Sequence, residues 1–545
     1  MFLPAGIAMA QTTPEAEELR LRSREEAEER ARRQQAPDVR LRIDVEPSAA
    51  FVLPEETPCF VVQDIRLTGT RLDAFPWVQG YFDQFAGQCA GVKGLNLILK
   101  GLSGKFIEKG YITTRVLLPE QDISTGRLEF LLVPGVVREI RFSSEVPERT
   151  WKTGFPVRPG DLLNLRDIEQ GLEQMKRVPS QDVSFNIVPG AQQGESDIVI
   201  DITRVKPWRV VLSVDDTGAE ATGKLQSSVA AYLDNPLGLN DTFSVSINGD
   251  MEQKGGERGS RGDSVSYSVP WGYWTVAGSS SANYYHQTIQ GLTQSFVSSG
   301  TIESAELKVN RVIDRDQASK TALQVRVVKR RNRSYIDDTE VTVQRREVTS
   351  AEVSALYRRY FGQAQLDATL SYRQGVDWLD AQPEPAERQP GQPTTHYKIQ
   401  TLDASLVAPF SLGDVTMRYY GSFRAQTTDD YLFTSEFFSI GNRYTVRGFD
   451  GERTLAAERG WFLRNEIDVP LISSGLSLYV GLDGGEVAGS SANLLIGTTL
   501  IGGAVGLRGG ANGFAYDMFA GWPLDKPEGY ITEPVTVGAQ ISYQF

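Results

Sequence analysis

Cysteine and histidine are almost missing, with two of each in 545 residues, which leaves little to ligate a metal. No apolar run approaches the roughly 18 residues that a spanning helix requires. Together with a hydrophobic content of 40% and a mean hydropathy of −0.28, this excludes a bundle of apolar helices. Basic excess is missing too. A formal net charge of −13 and a pI near 5.0 argue against nucleic acid or an anionic membrane surface as partner, because both select for clustered Lys and Arg. What the chain has is glycine (52 residues) and aromatics (10%), a composition that still allows a barrel, whose strands need apolar side chains only at every second position. At roughly 150 residues per domain, the length fits three or four domains, or one large unit with small ones.

The first residues form a short apolar stretch ending in Ala8-Met9-Ala10, the small-x-small pattern before a signal-peptidase cut, here expected before Gln11. Residues 1–10 therefore read as the remnant of a signal peptide lacking its basic leader; a disordered N-terminus is the competing reading. Export would place Cys59 and Cys89 in an oxidising compartment. Thirty positions apart in a small module, they are expected to form a disulfide rather than a metal or catalytic site.

Residues 15–33 hold seven Glu and six Arg with no apolar stripe. Glu18/Arg22, Glu26/Arg30, Glu28/Arg32 and Glu29/Arg33 stand at the favourable i,i+4 spacing, so 11–36 reads as a free-standing polar helix, with a solvated helix or charged tail as the plain alternative. Residues 37–57 lose periodicity, contain Pro47 and Pro54, and run up to Pro58 as an extended linker.

Two α/β modules follow, at 58–134 and 135–206. In the first, a strand at 60–67 precedes a helix with Leu95, Leu99, Leu102 and Phe106 on one face, then strands at 113–118 and 128–133. The second repeats the order: a strand at 137–142, a helix presenting Leu165, Ile168, Leu172 and Met175, and strands at 183–188 and 197–202. Asn164 and Asp167 resemble a capping box at that helix's start.

From residue 207 to 545 helical spacing gives way to long alternating strands. Leu476, Leu478, Val480 and Leu482 alternate with Ser477, Tyr479, Gly481 and Asp483. In the last strand Val535, Val537, Ala539, Ile541, Tyr543 and Phe545 share one face. A soluble sandwich would seldom sustain this over so long a stretch. Apolar-out, polar-in strands ending on an aromatic residue indicate an outer-membrane barrel. Sixteen strands are expected, beginning near Arg209, Lys224, Thr242, Ser264, Trp274, Thr301, Lys320, Thr339, Gln365, Tyr397, Val415, Trp461, Leu476, Leu494, Gly513 and Val535. Short turns such as 235–241 would face the periplasm and the longer connections 251–263, 375–396 and 428–460 mostly the outside, although this strand count does not put all three on one side.

Local motifs now add up in order. Pro58-Cys59-Phe60, 110–115 (Gly-Tyr-Ile-Thr-Thr-Arg) and Pro119-Glu120-Gln121-Asp122 lie in the first module; 160–167 (Gly-Asp-Leu-Leu-Asn-Leu-Arg-Asp), Pro189-Gly190 and Gly194-Glu195-Ser196 in the second. Val446-Arg447-Gly448-Phe449, Gly460-Trp461 and Arg464-Asn465-Glu466 lie in the barrel. The chain resembles the outer-membrane transporters of two-partner secretion, the haemolysin-activator and filamentous-haemagglutinin-transporter family, whose α/β modules are called POTRA domains. The resemblance implies a plug helix, two periplasmic POTRA domains and a sixteen-stranded barrel, with Val446 to Phe449 at the tip of a long sixth loop that folds into the lumen. It also implies that Arg447 contacts an acidic residue on the inner wall of the thirteenth strand. Alternation independently points Asp483 inward, and Gly481, Gly484 and Gly485 beside it leave space for an inserted loop. The alternative is a surface-loop arginine and an unrelated lumen aspartate.

The polar helix, at 1.5 Å rise per residue, would be roughly 30 Å long, about a barrel's lumen. The resemblance implies a plug, with Glu18, Arg22, Glu26 and Arg30 facing a wet pore, that leaves when substrate arrives; a helix resting in the periplasm is the alternative, and the linker is long enough to let it swing out. The expected function is export of a large partner exoprotein (haemolysin, adhesin or contact-dependent toxin) that docks its N-terminal secretion domain on exposed POTRA sheet edges. No cofactor, no nucleotide and no nucleic acid is expected; outer-membrane lipid and, during biogenesis, the barrel-assembly machinery are. Inward Lys308, Arg418, Arg424 and Arg464 would either pass an extended polar chain or pair with lumen carboxylates.

Competing classes are an assembly insertase of the same superfamily, which usually carries more modules and no plug; a passive porin, which has no use for 200 periplasmic residues; and an adhesin read from Arg261-Gly262-Asp263 in an expected loop. An enzyme is disfavoured: His286 and His396 stand apart, and the glycines from Gly502 to Gly510 lie in an alternating strand with no helix behind them for a phosphate.

Overall fold

Lipid supplies no hydrogen-bond partners, so a strand-rich chain that enters it must pair every backbone group with its neighbours and close on itself. The computed structural model shows this closure. It describes residues 14–41, 52–147, 149–252, 256–290, 294–384, 387–471 and 475–545. The expected signal-peptide remnant, its cleavage point and the middle of the linker lie outside the described residues.

Sixteen antiparallel strands form one closed barrel. In order they are Trp208–Asp215, Gln226–Asp234, Thr242–Asp250, Arg258–Trp271, Trp274–Gln290, Ser295–Arg315, Ser319–Ile336, Arg346–Phe361, Ala364–Val376, Lys398–Leu412, Val415–Thr427, Arg459–Leu471, Leu476–Ala488, Thr499–Ala511, Phe514–Asp525 and Thr536–Gln544. Closure comes from the last strand pairing with the first, Gln540 opposite Asp215 through Gln544 opposite Val211.

Alternation sets the two faces. On strand 13, Val480 and Leu482 are 53% and 54% exposed, outward, whereas Tyr479 and Asp483 are 2% and 1% exposed, inward. Hydroxyls line the inside in cross-strand pairs, among them Ser244–Ser266 at 2.7 Å and Ser354–Ser371 at 2.8 Å.

Four expected strand starts are displaced. Strands 4 and 6 begin earlier, at Arg258 and Ser295, and strands 8 and 14 later, at Arg346 and Thr499. Thr339–Glu340 is only a two-residue pairing at the end of strand 7. The early start of strand 4 places Arg261-Gly262-Asp263 inside the barrel wall, paired with both neighbours. An adhesin loop is thereby replaced by a ladder segment. With these boundaries the connections 251–257, 377–397 and 428–458 all follow odd-numbered strands and share the end away from the POTRA domains.

The first POTRA module packs a three-stranded sheet, Asp64–Gly69, Arg127–Val133 and Arg115–Leu117, against Val92–Glu108, burying Leu95, Ile98, Leu102 and Phe106. A short helix, Trp77–Phe82, was not legible from the periodicity. Cys59 and Cys89 are joined by a disulfide. The Glu56 carboxylate accepts from the backbone N–H of Lys93 (2.8 Å) and Gly94 (2.6 Å), so the linker's far end caps this helix.

In the second module the sheet Val136–Phe142, Glu195–Arg204 and Gln181–Pro189 covers Leu165–Lys176, whose Leu165, Ile168, Leu172 and Met175 are buried. The capping box is only half formed. Asn164 accepts from Arg166 N at 2.8 Å, but Asp167 turns away to accept from the Tyr273 hydroxyl in a barrel turn. Burial pushes the Asp167 carboxyl up, while that hydroxyl works in the opposite direction.

This module sits on the barrel's periplasmic turns. Gly272 O accepts from Gln170 (3.2 Å) and Gln174 (2.9 Å), and Asn240 Nδ2 donates to Thr150 O at 2.6 Å. Asn235 and Asn240, with φ of 56° and 58°, supply the left-handed corners of the 235–241 turn, which asparagine tolerates.

Alkylation of the unfolded, unreduced protein is expected to label neither thiol, and Cys89→Ser to lower the first module's stability by about 3 kcal/mol, read from its urea midpoint. Two free thiols in exported material would remove the bridge.

Candidate functional site in the barrel lumen

The polar helix, Pro14–Gln35, lies inside the barrel. At 1.5 Å per residue it is about 33 Å long, and wall and loop groups meet it on several sides. Glu18 accepts from Asn332 Nδ2 at 2.8 Å; Glu26 pairs with Arg424 at 2.8 Å and Glu29 with Lys308 at 2.7 Å. In the opposite polarity, Arg30 stands 3.7 Å from Asp403, and Arg22 reaches Glu436 at 3.2 Å and Ser435 O at 2.7 Å.

The expected intrahelical pairs are largely redrawn by these contacts. Glu29–Arg33 forms, at 2.8 Å, but Arg22 and Arg24 turn to the acids that follow them, Glu26 (3.1 Å) and Glu28 (2.9 Å), and Glu18 is taken by the wall. The cationic wall residues are paired as well. Arg424 holds Asp403 at 2.7 Å, Lys308 also reaches Glu306 at 3.1 Å, Arg464 lies 3.8 Å from Asp483, and Arg418 donates to the Tyr420 hydroxyl at 2.8 Å.

The helix does not fill the lumen. It leaves a cavity of ≈ 840 Å³ bordered by Ala27, Ala31, Tyr420, Arg464, Tyr479 and Gln540.

The long sixth connection, 428–458, folds back into the lumen. Its hairpin, Phe438–Ile440 against Leu455–Ala457, builds a small apolar core with Val446, Phe449, Phe462, Val487, Leu500 and Tyr530. Each residue of the signature has a distinct task there. Val446, 0% exposed, anchors the tip in that core, and Phe449 meets Tyr530 edge-on at 5.8 Å.

Arg447 goes to the wall. Its Nε and Nη2 reach the two oxygens of Asp483 at 2.6 and 2.9 Å, its Nη1 reaches Glu466 at 2.6 Å, and its own backbone N–H donates to Asp483 at 3.1 Å. A guanidinium fork on a carboxylate fixes direction as well as distance.

Glycines make the approach possible. A Cβ on Gly481 would lie 2.3 Å from Arg447 Nη2, one on Gly502 1.8 Å from the Arg447 carbonyl, and one on Gly448 (φ +96°) 2.4 Å from Trp522 O. Gly485 serves the loop at Ile440, but a Cβ on Gly484 would meet only Ile501 and the Leu500 carbonyl at an ordinary 3.9 Å, so it takes no part in the cradle.

Sequence reasoning brought Arg447 and Asp483 together; it missed Glu466 as third partner and Gly502 as part of the cradle. The inward alternation of strand 12, with Arg464 directly opposite Asp483, held the signal for Glu466. His286 and His396 stay apart, the latter 2.7 Å from Asp377 at the barrel rim.

Comparison with known proteins agrees with this anatomy. The haemolysin secretion/activation protein family ShlB/FhaC/HecB matches residues 194–509, a POTRA domain matches 136–189, and a ShlB-type POTRA domain matches 60–135. The outer membrane transporter CdiB-2 of Burkholderia pseudomallei is 45% identical over 96% of this chain and 92% of its own. The hemolysin transporter ShlB of Serratia marcescens is 29% identical over 92% and 89%. The solved structure of CdiB from Escherichia coli superposes with a TM-score of 0.88 at 28% identity, covering 98% of this chain and all of that one.

Fold and site together define an outer-membrane transporter with periplasmic POTRA domains. The chain belongs to the haemolysin secretion/activation family ShlB/FhaC/HecB, and it exports a large partner protein by two-partner secretion.

Arg447→Ala is expected to reduce exoprotein secretion sharply while the barrel still reaches the outer membrane. Leaving Asp483 and Glu466 without the arginine costs about 1–3 kcal/mol in a partly wet lumen, too little to open sixteen paired strands. Gly502→Val should give the same phenotype with Arg447 intact, because the new side chain occupies the loop's carbonyl position. The swap Arg447→Asp with Asp483→Arg should recover only part of the secretion, since Glu466 then faces an aspartate; recovery no better than the worse single variant, at equal barrel abundance, would argue against direct pairing.

Proposed function

We propose that the chain works as a passive, ATP-independent conduit, not an enzyme, in which the POTRA domains take up an unfolded exoprotein by its N-terminal secretion domain, the helix at 14–35 leaves, and the cargo threads through the lumen. Membership of the secretion family carries this reading. Each POTRA sheet has outer strands that can accept an added strand through main-chain hydrogen bonds, for example Val136–Phe142, which pairs with Glu195–Arg204 and whose other edge is taken by residues 160–162 at Val136 and Val137. Folding of the cargo outside would supply the drive. Barrel-assembly machinery would act only during biogenesis, and nucleic acid has no part.

The plug's chemistry suits reversible occupancy. Its partners are ion pairs and hydrogen bonds to a polar wall, and a buried pair contributes little net stability against water or another polar chain. A dry apolar plug would be costly to remove. The loop latch, by contrast, has an apolar core of its own and is suited to stay while the helix moves.

Among cargo classes, the 45%, 29% and 31% identities to transporters named CdiB, against 29% and 26% to hemolysin transporters, favour cargo of the CdiB kind. Co-expression with candidate exoproteins and assay of the culture supernatant tests this directly; secretion of a haemolysin but not of a CdiB-type cargo would overturn it.

Deleting residues 11–36 is expected to raise single-channel conductance in planar bilayers with heat-modifiable gel migration intact. Unchanged conductance would remove the plug role.

A further inference from the structure

Where the plug's linker leaves the lumen, it runs into a buried cluster joining three parts of the molecule. Arg315, at the periplasmic end of strand 6, is 3% exposed. Its Nη1 reaches Glu173 at 2.7 Å and its Nε reaches Glu169 at 3.3 Å, both on the long helix of the second POTRA domain. Its Nη2 faces the linker, 3.4 Å from the Asp38 carboxylate and donating to the Val39 carbonyl.

Lys320, at the start of strand 7, repeats the pattern with Glu173 at 2.8 Å and Asp38 at 3.3 Å. Glu169, fully buried, closes the circuit by accepting from the Leu41 backbone N–H at 2.7 Å. The linker is therefore pinned at residues 38–41, where it meets the barrel floor.

We propose that Arg315 is a positioning residue through which the second POTRA domain holds the plug's linker, so that displacing its helix from the barrel floor releases the plug. The two sides share two cations, Arg315 and Lys320. Moving Glu169 and Glu173 away removes the carboxylates that orient Arg315 and Lys320 and the acceptor that holds Leu41, so the clamp on residues 38–41 loses its POTRA side as a unit. A cargo that binds the POTRA domain would thus loosen the plug without touching it. Burial works to raise the Asp38 carboxyl, yet Lys320, the Tyr360 hydroxyl and Arg315 together hold it well below the usual carboxylate range, so its charge is available to the cluster at neutral pH.

The inference rests on the plug reading above, and the experiment separates the two. The purified full chain is placed in planar bilayers without cargo, and the fraction of time in the high-conductance state is read. Arg315→Ala, Glu173→Gln and Asp38→Asn are each expected to raise it roughly tenfold, the scale of one lost charge-assisted hydrogen bond. Arg315→Lys should restore part of the closed state. Glu173→Gln combined with Asp38→Asn should do no more than the larger single change, because both act through the same two cations, Arg315 and Lys320.

Additive effects, or wild-type behaviour of Glu173→Gln while deletion of 11–36 opens the pore, would overturn the proposal. If that deletion also leaves the conductance unchanged, the plug reading beneath it fails instead. Should Arg315→Ala lose heat-modifiable migration, Glu173→Gln and Asp38→Asn, which leave the barrel sequence untouched, decide the matter.

Discussion

The hydrogen-bond ladder that closes between the last and first strands is the constraint on which everything else rests. Once every backbone group in the wall is satisfied by a neighbour, the side chains are free to divide by face. The outward face must be apolar and the inward face has no such obligation. A polar lumen wide enough for a polypeptide follows, and with it the need to occupy the space at rest. The protein does so with two inserts of opposite character. One is a loop with its own apolar core, bolted to the wall by Arg447, Asp483 and Glu466. The other is a charged helix held mainly by ion pairs and hydrogen bonds to the polar wall.

How much of this was legible in the sequence follows from the range of each interaction. Period-two alternation is local, so strand faces and most strand starts could be read directly, including the inward direction of Asp483. Where glycines continue from a turn into the strand, boundaries slid: Gly255 and Gly256 precede strand 4 but Gly259 and Gly262 lie inside it, so the strand starts at Arg258 and the Arg261-Gly262-Asp263 segment belongs to the wall. The Leu165–Lys176 helix was readable from its apolar spacing, but Asp167 was misassigned as a cap because its partner, Tyr273, is 106 positions away.

The same limit governs the lumen. The charged helix could be recognised from composition, but its pairing could not: local i,i+4 rules describe an isolated helix, whereas wall groups such as Lys308, Asn332 and Arg424 compete for the same carboxylates. Gly502 was visible only as one glycine among several in a strand. Its use becomes apparent when the Arg447 carbonyl is seen lying against it. Arg447 itself was found through the resemblance carried by its motif, which supplied the long-range contact that spacing alone lacks.

The composition of the helix has an electrical consequence. Seven glutamates against six arginines leave residues 14–35 with a net charge of about −1, spread along the full length of the pore. Work done by a field on a moving segment scales with the charge carried through it, about 2.3 kcal/mol per elementary charge for each 100 mV. In the proposed departure, a near-neutral helix would carry little gating charge through the barrel, and its contacts at the ends and along the sides would outweigh membrane voltage.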